Sequence, residues 1–158
     1  MRIIGIDPGT GILGFGIIEI TTKGPQLVDA GVIRTLAKTD DALRLATIYD
    51  ELTDIITNTK PQVMAVEKLF FAQNVTTAMT VSQARGVVLL CGQQAGLQIF
   101  DYTPLQIKQA LTGYGRADKQ QIQEMVRVIL RMKTVPKPDD CADALAAAIT
   151  HSMTSRFS

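Results

Sequence analysis

Apolar and polar positions follow two different rhythms along this chain. Over the first 35 residues, apolar runs alternate with turn-forming clusters; after that, apolar residues return at helical spacing. Residues 2–7 (RIIGID), 13–20 (LGFGIIEI) and 26–35 (QLVDAGVIRT) read as strands, with Pro8, Gly9, Gly11, Gly24 and Pro25 in the turns between them. Such short connections predict antiparallel neighbours. Leu45, Ile48, Tyr49, Leu52, Ile55 and Ile56 then form one apolar stripe on a helix that Thr39 or Asp40 can cap and Pro61 stops. VMAVE at 63–67 is a short strand ending in an acid, residues 75–92 a second helix, and QIFDY at 98–102 a fifth strand. Pro104 opens a short helix to about Leu111, and GYGRAD at 113–118 is a loop. Asp118 can cap a helix whose stripe is Ile122, Met125, Val126 and Ile129. PKPDD at 136–140 is a break, and a last helix runs from about 139 to 153, capped by Asp139 or Asp140.

This order predicts an α/β fold. The first three strands pair antiparallel, the helix-separated later strands pair parallel, and helices cover both faces of a five-stranded mixed sheet. At 158 residues the chain is expected to be one domain spanning 1–158.

Composition narrows the class only a little. Apolar residues are 46% and charged residues 20%, the balance of a soluble globular chain, and the net charge of +1 points to no partner. The two cysteines, Cys91 and Cys141, form no CxxC pair, and the sole histidine, His151, completes no zinc pattern. His151 lies eight residues beyond Asp143, too far along a helix to share its ligand shell. No apolar run is long enough to span a bilayer, and the N-terminus lacks a signal-peptide pattern. A cytoplasmic protein with no membrane partner is expected.

The acids carry the chemistry. Asp7 ends the first strand and Glu67 the fourth, and in open α/β sheets ligands gather beyond such carboxyl ends. Asp140 and Asp143 stand three residues apart near the start of the last helix, on one face. Four carboxylates brought together without a cation repel, and one must take up a proton. Oxygen-only ligands suit Mg²⁺ or Mn²⁺, and two such ions can clamp the attacking and leaving oxygens of a phosphodiester. Each acid also has a plainer reading. Asp7 can bond the turn N–H groups of its PGTG loop, Glu67 can be a solvated strand end, and acids in a first helical turn are favoured by the dipole. Asp143, flanked by Ala142, Ala144 and Leu145, fits the plain reading least.

Basic charge concentrates locally. Lys108, Arg116, Lys119, Arg127, Arg131, Lys133 and Lys137 are opposed between 108 and 137 only by Asp118 and Glu124. Phosphate contact needs such an excess, although for Arg127, Arg131 and Lys133 a solvated helix face explains it. Leu69, Phe70 and Phe71 follow Glu67 directly; the two aromatics either join the core or meet an unpaired base. The second helix is apolar over more than one stripe, which fits either burial or a twin subunit.

IIGIDPGTGILGFGII (3–18), AVEKLFFAQN (65–74), SQARGVV (82–88), QIKQALTGYGRADKQQIQEMV (106–126) and DDCADALAAAITH (139–151) together resemble the RuvC-type Holliday-junction resolvases of the ribonuclease H-like superfamily. The resemblance implies a ribonuclease H-like fold and a catalytic Mg²⁺ site at Asp7, Glu67, Asp140 and Asp143, with two ions per subunit on DNA and Mn²⁺ able to substitute. It implies a homodimer that nicks two like-polarity strands of a four-way DNA junction in recombination and repair, leaving 5′-phosphates. The implied partner is a branch-migration complex of RuvA and RuvB type. It also implies DNA contacts by Phe70, Lys108, Arg116 and Lys119. Two other readings compete: a non-catalytic binder of branched DNA, and a fragment of an actin-like ATPase, whose phosphate loop opens on a similar Ile-Gly-Ile-Asp-x-Gly-Thr.

Overall fold

The structure, a computed structural model, describes residues 1–68 and 75–155. The strands are β1 (Arg2–Asp7), β2 (Ile12–Thr21), β3 (Gly24–Arg34), β4 (Val63–Glu67) and β5 (Gln98–Tyr102). The helices are α1 (Asp41–Thr59), α2 (Val75–Gln94), α3 (Pro104–Thr112), α4 (Lys119–Ile129) and α5 (Asp139–Thr154). The strands form one sheet in the order β3-β2-β1-β4-β5. β1–β2 and β2–β3 are antiparallel; β1–β4 and β4–β5 are parallel. This is the mixed sheet that the order of elements predicts.

Strand alternation divides the core in two. Ile4, Ile6, Ile17, Met64 and Val66 meet Ile48, Leu52 and Ile56 of α1 and Ala84, Val88 and Cys91 of α2. On the other face Ile3, Ile18, Val63 and Ala65 meet Leu145 and Ile149 of α5, with α3 and α4 packed beyond. Ile3, Ile4 and Ile6 are fully buried, each contributing about 1.5–3 kcal/mol. Helices therefore cover both faces, and α5 is buried between sheet and helices along nearly its whole length.

The α5 face of β1 and β2 tapers. Its cross-strand pairs are Ile3–Ile18, then Gly5–Gly16, then Asp7–Gly14. A Cβ on Gly5 would fall on the Ala144 carbonyl, one on Gly14 on the Asp140 carbonyl, and one on Gly16 on the Leu145 side chain. Large side chains hold the far end of α5 off the sheet, while glycines let its N-terminal turn settle onto the strand ends.

The N-caps of α1 and α4 fall at expected residues, and that of α5 does not. Pro138, not Asp139 or Asp140, is the N-cap of α5, and it makes no side-chain capping bond. Both acids therefore lie inside the first turn, where the dipole favours them and their oxygens remain available. Asp40 takes the N-cap of α1 without a side-chain bond, while the Thr39 hydroxyl donates to the Leu36 carbonyl at 2.6 Å. Asp118 caps α4 as expected, in a full capping box with Gln121.

Candidate active site

Register assembles the first two acids. β1 and β4 run parallel with Ile6 opposite Val66, so Asp7 and Glu67 end neighbouring strands at one level. Both point to the α5 face, in line with Ile3–Gly5 and Val63–Ala65. α5 brings in the third. Asp143 is the one residue from Cys141 to Ser152 that is not buried. Oxygens of Asp7, Glu67 and Asp143 all lie within 4.8 Å of one another. Asp140 is outside that close triad, half-buried one turn earlier on α5, yet its charge reaches all three.

The electrostatics are those of crowded, buried carboxylates. Asp7, 9% exposed, is pushed up to about 9 by burial first, then by the charges of Glu67, Asp143 and Asp140. Burial and the Asp143 charge push Glu67 up to about 7, against the lowering effect of its hydrogen bond with Asp7 and of Lys119. Asp143 also rises, from burial, although Lys119 opposes it. Protons therefore hold this cluster together when nothing else does. The side chain of Asp7 is engaged with Glu67, and the site is a paired acid cluster rather than a lone turn-bonded carboxylate.

Cations form one wall. Lys119 Nζ lies 3.4 Å from Asp139 Oδ2 and 3.6 Å from Asp143 Oδ2. Burial lowers the Lys119 ammonium's pKa, but Asp143 and Asp139 outweigh that and raise it. A cavity of about 280 Å³ is lined by Glu67, Asp143, Lys108 and Lys119, with Ile107 and Ile122 as its apolar floor. Acids and bases thus share one hollow at the sheet edge. The donor set is all oxygen, anionic and closely spaced, which fits a hard divalent cation.

A family model described as crossover junction endodeoxyribonuclease RuvC matches residues 3–151. The chain belongs to the RuvC family. The RuvC of Heliobacterium modesticaldum is 54% identical over 156 residues, covering 98% of this chain and 96% of its own length. That of Desulfitobacterium hafniense (strain DSM 10664 / DCB-2) is 56% identical over 154 residues, covering 96% and 92%. The Thermus thermophilus RuvC structure superposes with a TM-score of 0.93 at 36% identity, covering 99% of this chain and 96% of that one. The same protein in complex with a Holliday junction substrate gives 0.94 at 35% identity, with the same coverage.

Set against this RuvC-family fold, the expected site residues fall into three groups. Glu67, Asp143, Lys108 and Lys119 line one hollow, Asp7 joins Glu67 and Asp143 in the close triad, and Asp140 acts on that triad through its charge. Arg116 is exposed on the α3–α4 loop beside it. Phe70 lies outside the described residues. Arg127, expected to be solvated, is paired with Glu124 at 2.5 Å. His151 is buried, its Nδ1 2.7 Å from the Tyr102 hydroxyl, away from the acids as expected. Cys91 and Cys141 are free and buried, and burial pushes the Cys141 thiol up to about 11, well above the reactive range. Among the described residues no helix is long and apolar enough to cross a membrane.

The glycine floor under α5 is a feature that periodicity alone does not reveal. Its signal is present all the same: Gly5, Gly14 and Gly16 interrupt otherwise apolar strands, the mark of a close backbone approach. The Lys119–Asp143 contact has no comparable signal, since it depends on how α4 docks against α5.

Proposed function

We propose that this chain is a divalent-metal-dependent endonuclease that resolves four-way DNA junctions by paired, symmetric nicks. The observation that carries the reading is the meeting of Asp7, Glu67 and Asp143 within 4.8 Å, walled by Lys108 and Lys119. Membership of the RuvC family supports the same conclusion, and a RuvC with a TM-score of 0.94 to this chain has been solved with a Holliday junction substrate. The intact acid set argues against a binder without catalysis.

Asp7, Glu67, Asp140 and Asp143 would hold Mg²⁺, with Mn²⁺ able to substitute and two ions per subunit on DNA. Bound ions supply the charge that balances the carboxylates and activate the water that attacks the phosphate. The chain's own residues set the rest. β1 and β4 hold Asp7 and Glu67 on rigid strand ends, and α5 holds Asp140 and Asp143 against them. Lys108 and Lys119, which line the same cavity as Glu67 and Asp143, face the phosphate's negative charge. Arg116 meets the backbone outside the hollow, and Phe70 meets the opened junction. Attack in line on the phosphate leaves a 5′-phosphate and a 3′-hydroxyl.

Two symmetric nicks need two sites related by a two-fold axis. Met79 and Leu90 stand exposed on α2, on the side away from the sheet, and support dimerisation through that helix. We take 1–158 as one nuclease domain acting in the cytoplasm beside a branch-migration complex of RuvA and RuvB type.

Incubating the protein with a synthetic four-way junction or a linear duplex, with and without Mg²⁺, tests the reading. Paired nicks in the junction alone, only with Mg²⁺, and none from Asp7→Asn, are expected. Metal-independent cutting, or undiminished cutting by Asp7→Asn, would overturn it.

A further inference from the structure

Lys108 sits on α3 and Lys119 on α4, yet both line the same cavity. Between them runs a set of hydrogen bonds joined through the covalent frames of Thr112, Tyr114, Gln121 and Asp118. The Thr112 hydroxyl donates to the Lys108 carbonyl at 2.6 Å and accepts from the Tyr114 amide at 3.4 Å. The Tyr114 hydroxyl donates to Gln121 Oε1 at 2.9 Å. That same oxygen accepts from the Asp118 amide at 2.8 Å, and Asp118 Oδ1 accepts from the Gln121 amide at 2.8 Å. Lys119, the first residue of α4, is directly bonded to Asp118 in the chain and reaches Asp139 and Asp143.

A capping box alone satisfies helix-end donors wherever it occurs. Here it does more. Gln121 Oε1 serves two donors, one of them a tyrosine from the preceding loop, although Tyr114 is itself 47% exposed and gains little by burial. Gly113, at φ 85°, turns the chain back so that Tyr114 can reach. A lysine side chain is floppy and needs its backbone held if it is to act at one point.

We propose that Tyr114 and Gln121 are positioning residues, which set the place of Lys119 against Asp143 and its spacing from Lys108 in the shared cavity. The proposal rests on the nuclease reading only for its effect on cleavage.

The test compares Gln121→Ala, Gln121→Glu and Tyr114→Phe with the unaltered chain. Glutamate keeps the capping-box acceptor, so Gln121→Glu should behave as the parent. Gln121→Ala should lower single-turnover junction cleavage roughly ten- to a hundredfold, the effect of a displacement of about 1 Å. Junction Kd should change less than about twofold, because many phosphate contacts share it. Tyr114→Phe should give a smaller loss in the same direction. In a Lys119→Ala background, Gln121→Ala should cost nothing further. An equal loss in that background shows a merely structural role and overturns the proposal. Independently of activity, ¹³C relaxation of the Lys119 side chain should show restricted motion in the parent and in Gln121→Glu, and free motion in Gln121→Ala. Unchanged Lys119 motion in folded Gln121→Ala overturns the proposal even if the nuclease reading fails, and released motion supports it in either case.

Discussion

The carbonyl oxygen of Asp140 occupies the point at which a side chain on Gly14 would begin. Gly14 is also the cross-strand partner of Asp7. One strand position therefore supports the first acid laterally and receives the helix that carries Asp140 and Asp143. The site is built by removing side chains as much as by placing them.

Gly14→Ala follows from this contact. A methyl group there meets backbone, which cannot rotate away, so α5 must lift or the strand must shift. The expected cost is about 1–3 kcal/mol of stability, read from denaturant unfolding. Cleavage should fall well beyond what the folded fraction explains, because Asp140 and Asp143 move with α5. Near-parent cleavage by folded Gly14→Ala would show that the acids reach one another some other way.

The metal-free protein should lose stability as pH rises. Asp7 is raised to about 9 and Glu67 to about 7, while both titrate near 4 in the unfolded chain. Between those limits the folded state binds more protons than the unfolded one, so unfolding free energy falls with increasing pH. This contribution is complete below about pH 4 and lost through pH 7 and 9. In EDTA, Tm should drop from pH 5 to 9, and Asp7→Asn should flatten the curve and lie above the parent at the alkaline end. A parent curve no steeper than that of Asp7→Asn would contradict the clustering.

Mg²⁺ should reverse that loss by taking the protons' place. At a concentration a hundredfold above its Kd, a ligand of the folded state adds about 2.7 kcal/mol, or roughly 5–10 °C in Tm for a chain of this size. The shift should be larger at pH 8 than at pH 6, since binding must displace protons. It should vanish in Asp7→Asn and Glu67→Gln. Thermal scans with and without Mg²⁺ at the two pH values measure it.

Much of this was legible in the sequence, for reasons that differ from element to element. β4 is found at 63–67 because it is a short apolar run, and β5 at 98–102 because Gly96 and Pro104 bracket a segment holding Ile99, Phe100 and Tyr102. The stripe from Leu45 to Ile56 marks α1 because one face meets the sheet. Asp7 and Glu67 stand out because an acid ending an apolar strand breaks the pattern. Pro138 as the cap of α5 was not legible, since two aspartates beside it are the stronger capping residues. Nor was the joining of Lys119 to Asp143, which is a tertiary relation between α4 and α5. Local patterns report what a residue does to its own element; they are silent on where that element docks.

The two wall lysines should separate in solution. Lys119 is already engaged by Asp139 and Asp143 in the free protein, so its positive charge is largely answered before DNA arrives. Lys108 has no such ion pair among the described residues and lines the same cavity, while Arg116 is exposed nearby. Phosphate neutralisation by free cations releases counterions, and each lost contact lowers the slope of log K against log salt by about one. Lys108→Ala and Arg116→Ala should each reduce that slope, measured on a four-way junction without Mg²⁺. Lys119→Ala should leave the slope closer to the parent's while slowing single-turnover cleavage at least tenfold, on the scale of a lost electrostatic contact to the reacting phosphate. If Lys119→Ala instead flattens the salt dependence and cuts at the parental rate, then its contact with Asp143 is a resting arrangement that DNA dissolves, and the chemistry belongs to the carboxylates alone.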